Sequence, residues 1–280
     1  MHLKFWGVRG SLPVPSAATL KVGGNTTCVS VEHDNHIVIF DAGTGIYQLG
    51  KYLEDAERGD WRGSIFLSHY HWDHIQGLPF FAPAFRSTNR FHLYGEKKDG
   101  VDLFALLEEQ MQAPYFPVDI EQQQGLVDYN PIEPNQSISV TDALTVQTLR
   151  LQHPSKAIGF RLECGDRSIC IITDHEHPAD GIDESVVEFA RGANVLIHEA
   201  PYSAELKRSS RAGWGHSSWE EAAAVAREAG VGRLYLTHHD PATGDDQVEH
   251  IEAVARGIFE QSFVATEWTE VGDDELGAIG

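Results

Sequence analysis

Ser68-His69-Tyr70-His71-Trp72-Asp73-His74 puts three histidines and an aspartate into seven residues. His69 and His71 sit two apart, so in extended chain their side chains point to the same side. Asp73 and His74 follow where a short helix is predicted to begin, ahead of Gly77 and Pro79. One short segment therefore presents ligands in two directions. That pattern suits two metal ions side by side, His69 and His71 on one, Asp73 and His74 on the other. Dinuclear hydrolytic sites hold their metals about 3.5–4 Å apart. A structural zinc site closes its shell with four protein ligands, often cysteines. No cysteine is close by here, and nitrogen plus carboxylate ligands favour Zn, Mn or Fe.

The surrounding chain has 280 residues and a hydrophobic fraction of 41%, enough to bury a substantial core. No apolar run reaches membrane-spanning length, so no membrane role is expected. The N-terminus MHLKFWGVRG lacks the charged start and long apolar stretch of a signal peptide. Cys28, Cys164 and Cys170 show no C-x-x-C spacing and read as reduced thiols, which points to the cytoplasm. Forty-two acidic against 21 basic residues give a formal net charge of −21. A duplex nucleic-acid binder carries the opposite sign, so no large nucleic acid is expected as partner. A small anion stays open, because metal ions invert the local field.

Short apolar runs alternate with helix-length amphipathic ones, and no repeat or low-complexity segment interrupts them. Strands are predicted at 36–40, 64–67, 168–172, 194–197 and 233–236, and helices at 45–57, 102–112, 183–191, 218–229 and 246–260. Residues 137–151 alternate with period two around one turn at Thr141-Asp142. Each of the five strands runs into an acidic or histidine residue: Asp41, His69, Asp174, His198 and His238. Open α/β sheets build their sites at the carboxyl ends of strands, so the five are expected to share one site.

His69-x-His71-x-Asp73-His74, followed in order by His153 in LQHPSK, Asp174 in IITDHEH and His238 in LTHHDP, resembles the signature of the metallo-β-lactamase superfamily. Asp41 in IFDAGTG matches that family's earlier aspartate, which organises the ligands from behind. The resemblance implies an α/β fold, an αββα four-layer sandwich of two mixed β-sheets flanked by helices, as a single hydrolase domain over residues 1–280. It implies that His69, His71 and His153 bind one divalent ion, that Asp73, His74 and His238 bind a second, and that Asp174 bridges them. Zn is the first expectation, with Mn or Fe as alternatives. A hydroxide between the ions would be the nucleophile. Relatives with this fold are often homodimers. His175, His177 and His239 are read as neighbours of the ligands or exposed residues.

An aspartate at 174, where true β-lactamases of this fold carry cysteine, argues against that activity. Leu196-Ile-His198-Glu199-Ala200 and Gly213-Trp-Gly-His216-Ser217-Ser218 resemble elements of the ribonuclease Z and cyclic phosphodiesterase branch. By that resemblance His216 is the general acid towards the leaving oxygen and Glu199 its partner, so Asp73, His216 and Glu199 are the expected catalytic residues. An alkoxide leaving group needs that proton even where metals stabilise the phosphoryl charge. FWGVRGSLPVP, GGNTTCV and QAPYFPV also look like a bacterial group of phosphodiesterase-like members of the fold.

The basic stretch with Lys207, Arg208 and Arg211 could bind a phosphate or short nucleotide. Tyr115 and Phe116, between prolines, could stack a base or pack the core. Arg9 could reach a phosphate. No long Gly/Pro-rich basic insertion that could grip a tRNA is present in the sequence. The expected activity is therefore cleavage of a cyclic nucleotide, a cyclic phosphate or a short phosphodiester. A thioester or acyl hydrolase like glyoxalase II, and a non-catalytic metal- or nucleotide-binding module, are the alternatives.

Overall fold

A computed structural model describes residues 1–56 and 59–277. Fourteen strands are present among them: β1 (His2–Gly7), β2 (Cys28–His33), β3 (His36–Phe40), β4 (Arg62–Phe66), β5 (Arg90–Glu96), β6 (Leu126–Ile132), β7 (Ser137–Ser139), β8 (Thr145–Leu151), β9 (Ala157–Cys164), β10 (Arg167–Ile172), β11 (Val195–Glu199), β12 (Arg233–Thr237), β13 (Ser262–Val264) and β14 (Glu270–Val271). They form two seven-stranded mixed sheets, ordered β14-β1-β2-β3-β4-β5-β6 and β13-β12-β11-β10-β9-β8-β7. The first sheet runs parallel from β3 to β6, the second from β10 to β13. The helices are α1 (Gly45–Asp55), α2 (Trp72–Ile75), α3 (Leu103–Gln110), α4 (Glu184–Ala190), α5 (Ala204–Leu206), α6 (Trp219–Ala229), α7 (Asp245–Ala255) and α8 (Asp273–Leu276).

Side chains that alternate along a strand explain the layers. In β3, Val38 and Phe40 enter the core between the sheets, whereas Ile37 and Ile39 face a second core with α1 residues Ile46, Leu49 and Leu53. In β11, Val195 and Ile197 enter the inter-sheet core, and Leu196 joins a third core with Ala222, Val225 and Ala226 of α6. A strand apolar on both faces is what two covering layers require. The result is the αββα sandwich expected from the sequence. Phe40, Phe66 and Phe160 meet at its centre. Burying each such ring stabilises the fold by roughly 1.5–3 kcal/mol.

Helix boundaries follow local chemistry. Ser218 and Glu221 form a reciprocal capping box at the start of α6, and Gly230 ends it in the left-handed conformation. Asp183 caps α4 by accepting from Ser185 N–H. The predicted helix 45–57 ends as a helix at Asp55, and its last predicted residue lies outside the described ones. The predicted helix 246–260 stops at Ala255. Among the described residues no helix is long and apolar enough to cross a membrane.

Candidate metal centre

The carboxyl ends of the parallel strands β3 and β4 in one sheet, and β10, β11 and β12 in the other, open onto the same face. Asp41 follows β3, Ser68 and His69 come just after β4, Asp174 follows β10, Glu199 ends β11 and His238 follows β12. His71 N-caps the short α2, which carries Asp73 and His74 in its single turn. His153 comes from the loop after β8. Asp41, Asp174 and His238 all have positive φ, at 61°, 45° and 58°. Non-glycine residues pay about 1–3 kcal/mol each for such backbone, and the strain clusters where side chains must be aimed.

Three groups of ligand atoms result. His69, His71, His153 and Asp174 form one, and Asp73, His74 and His238 a second. Asp174 joins them, one carboxylate oxygen to each. Its Oδ2 lies 3.4 Å from His69 Nε2 and 3.6 Å from His153 Nε2, and its Oδ1 lies 3.2 Å from both His74 Nε2 and His238 Nε2. Asp174, Glu199, His216 and His238 form the third group.

The ring nitrogens show that these atoms suit cations. His153 Nδ1–H donates to the Gly215 carbonyl at 2.9 Å, and His74 Nδ1–H donates to Asp41 Oδ2 at 2.8 Å. Each bond fixes the tautomer that leaves Nε2 as a lone pair. Those lone pairs face other nitrogens, 3.2 Å away at His71 Nδ1 and 3.3 Å away at His238 Nε2. His69 Nε2 and Asp174 Oδ1 are buried without a hydrogen-bond partner. Such a set is unfavourable without a positive charge at its focus. Asp174, Asp73 and Asp41 draw positive charge to this point strongly enough to raise the His74 pKa against burial where no ion is bound, and a cation would take the place of that proton. The donor set therefore fits two divalent cations.

Sequence reasoning missed several supports. Ser68 donates its backbone N–H and its hydroxyl to Asp41, at 2.7 and 2.9 Å. Ser11 N–H donates to Asp73 Oδ2 at 2.7 Å. Glu176 accepts from Gly213 and Gly215 N–H, both at 2.7 Å, and so holds the loop whose carbonyl orients His153. Two glycines allow this packing: a Cβ on Gly10 would meet His238 Nδ1 at 2.3 Å, and one on Gly215, at φ +87°, would meet His153 Nδ1 at the same distance. The only sequence signals were the GVRGS and GWGHSS stretches, whose roles depend on distant partners.

Beside the two groups, His216 Nδ1 lies 2.7 Å from Glu199 Oε2, and Glu199 Oε1 accepts from His175 and Ser217 N–H. Burial lowers the His216 pKa, but Glu199 first, then Asp174 and Asp73, raise it to about 9. A cleft of about 440 Å³ lies over the centre, lined among others by Ser11, Tyr70, Trp72, Asp73, His216 and His238.

Several expectations need correction. His198 does not join the shared site. It points away from the centre, one residue out of phase with Glu199, donates to the Glu199 carbonyl and stacks on His177. His175, His177 and His239 stand outside the three ligand groups, as expected, and are buried, so only the exposed alternative falls. Lys207 is buried, with its ammonium 2.7 Å from Glu221 Oε1 and 3.3 Å from the His177 carbonyl oxygen, so its charge is committed to the fold. Arg9 is fully buried and donates to the carbonyls of Gly23 and Thr243. Tyr115 is 85% exposed and Phe116 packs edge-on against Phe80; neither lines the cleft. Arg208 is exposed. Arg211 lies over the ring of Trp214 and 5.9 Å from that of Tyr202, which in turn sits 5.9 Å from His216.

A family model described as a beta-lactamase superfamily domain matches residues 36–239. Ribonuclease Z of Thermoplasma acidophilum is 25% identical over 96% of this chain and 95% of that protein. Among solved structures, the metallo-beta-lactamase fold protein YhfI from Bacillus subtilis superposes with a TM-score of 0.73 at 21% identity, covering 97% of this chain and 99% of that one. Human tRNase Z, short form, superposes with a TM-score of 0.68 at 20% identity over 97% and 99% of the two chains.

Proposed function

Because the chain belongs to the beta-lactamase superfamily and is a metal-dependent hydrolase of that fold, we propose that it cleaves a compact phosphodiester: a cyclic nucleotide, a cyclic phosphate or a short linear diester. His69, His71 and His153 would hold one divalent ion and Asp73, His74 and His238 the other, with one Asp174 oxygen on each. Zn suits this nitrogen and carboxylate set, and Mn or Fe would also be accepted. Such ions, when bound, supply the Lewis acidity that activates water near neutral pH and offsets phosphoryl charge.

The observation that carries the diester reading is the His216–Glu199 pair, 2.7 Å apart and within the same cluster as Asp174 and His238. Glu199 fixes the imidazole with Nδ1 as donor to itself, which leaves Nε2 to hand a proton to the departing oxygen. A thioester hydrolase expels a thiolate and has little use for that proton. Glu199 raises the His216 pKa against the effect of burial, which favours the protonated form that an acid requires. Ser11 and Tyr202 at the cleft edges would orient the substrate.

Compactness is supported by the 440 Å³ cleft and by a net charge of −21, which repels a long polyanion. Resemblance to proteins named ribonuclease Z favours a second reading, an RNA end as substrate. Turnover of 2′,3′-cyclic AMP and a dinucleotide, measured beside a tRNA precursor with a 3′ trailer, separates the two. Efficient cleavage of the compact esters is expected; cleavage of the long RNA alone would replace the compact reading. The three unpaired cysteines support a cytoplasmic setting.

A further inference from the structure

The starts of β3, β4 and β5 lie at the opposite end of their sheet from the metal centre, roughly 15 Å away along five-residue strands. There the register sets His36 against Arg62 and Arg62 against Arg90. The next row on the same face pairs Val38 with Ser64 and Ser64 with His92, and the row after it pairs Phe40 with Phe66 and Phe66 with Tyr94. Two arginines and a histidine thus stand side by side on adjacent parallel strands, about 4.8 Å apart. Like charges placed directly opposite destabilise a sheet.

The arrangement is unusual in a chain with twice as many acidic as basic residues. Among the described residues neither Arg62 nor Arg90 meets a carboxylate. The one carboxylate in the row below, Asp128, is held by His92 Nδ1 at 2.8 Å. Burial, then His92 and Arg62, push His36 down to about 4, so its imidazole is neutral beside Arg62 at neutral pH. These groups, with Arg62 and Arg90 exposed at its rim, line an open pocket of about 400 Å³ together with Val140 and Thr141 of the β7–β8 turn. The hydroxyls of Ser64 and Tyr94 also line it, and Ser64 Oγ lies 3.1 Å from His36 Nε2.

We propose that this cavity is a second binding site, separate from the metal centre, that takes a small phosphate-bearing anion held between Arg62 and Arg90. Two forked guanidinium groups match the charge and oxygen geometry of a phosphate dianion. The hydroxyls and imidazoles supply further donors, more than a carboxylate could accept from. Bound anion offsets the repulsion between the facing Arg62 and Arg90, so binding and stability are linked. The ligand is inorganic phosphate or a nucleoside monophosphate, which share the same phosphoryl contacts.

Metal-loaded protein is titrated calorimetrically with inorganic phosphate and, separately, with AMP, at ionic strength matched with chloride. Phosphate also binds at the metals, so the readout is the difference between wild type and Arg62→Gln/Arg90→Gln. Wild type should take up one more equivalent than the double variant, or bind it ~10- to 100-fold more tightly. Arg62→Lys/Arg90→Lys should retain binding, and hydrolysis of bis(p-nitrophenyl) phosphate should be unchanged in both. Whichever ligand shows the difference identifies the source. In chloride alone the Gln variant should melt at or above wild type, because facing like charges are gone. Coincident isotherms for both ligands, or a Gln variant that melts lower in chloride, would overturn the proposal.

Discussion

His216 Nδ1 and Glu199 Oε2 lie 2.7 Å apart, in one cluster with the carboxylate of Asp174 and the imidazole of His238. If His216 protonates the leaving oxygen, its loss matters in proportion to how badly that oxygen needs a proton. His216→Ala should lower kcat by ~10²–10⁴ on an alkyl phosphodiester. On bis(p-nitrophenyl) phosphate, whose phenolate leaves unaided, the loss should be much smaller. Equal losses on the two esters would assign His216 to structure or metal binding.

If His216 is the acid, Glu199 sets the pH range over which it works. It raises the His216 pKa against the effect of burial and so extends the protonated form to higher pH. Glu199→Gln keeps the shape and removes the charge. The alkaline limb of the kcat profile should then move to lower pH, with the acid limb unmoved. A profile that keeps its alkaline limb would separate Glu199 from the proton donor.

Asp41 holds the candidate ligand His74, and Ser68 beside it, from behind. Asp41→Asn should weaken metal affinity by ~10–100-fold while leaving the fold intact. Metal titration with a chromophoric chelator competitor checks this, and unchanged affinity would show that His74 needs no such support.

Lys207 lies in the basic stretch of the sequence, but its ammonium is buried against Glu221, which also caps α6. Lys207→Ala leaves a carboxylate without its counter-charge and should destabilise the protein by ~3 kcal/mol. KM for a phosphodiester should barely change. A raised KM with unchanged melting temperature would return Lys207 to the substrate.

His36 should make the fold acid-sensitive. Its folded pKa of about 4 lies below the ordinary 6.5, so the unfolded chain binds the extra proton between those values. The stability it contributes is fully present above pH 6.5 and is lost as pH falls towards 4. His36→Asn should flatten that part of the stability profile, by on the order of 1 kcal/mol once solvent screening is allowed for. Urea melts at pH 4.5 and 7 measure it.

The sequence made the strand cores and the cluster of candidate ligands legible for the same reason: both are local. The run His36–Phe40 is apolar on both faces, and SHYHWDH carries four potential ligands in one turn of chain. What was not legible depends on partners far along the chain. Ser11 reaches Asp73 across 62 positions, and Glu176 holds Gly213 and Gly215. His198 was misread because a strand end was taken as enough, whereas the alternation of side chains sends Glu199, and not His198, into the site. Lys207 and Arg9 were read towards a phosphate because they are cations, and neither composition nor spacing reveals the buried Glu221 or the carbonyls that hold them.

The most direct test of the metal-centred diester hydrolase is turnover of bis(p-nitrophenyl) phosphate by Zn- or Mn-loaded wild type and Asp174→Ala, with metal content measured on both. Turnover that needs metal and falls to background in Asp174→Ala, together with loss of bound metal, is the expected result. Full occupancy of two metals in wild type with no hydrolysis of this or any compact diester would contradict it.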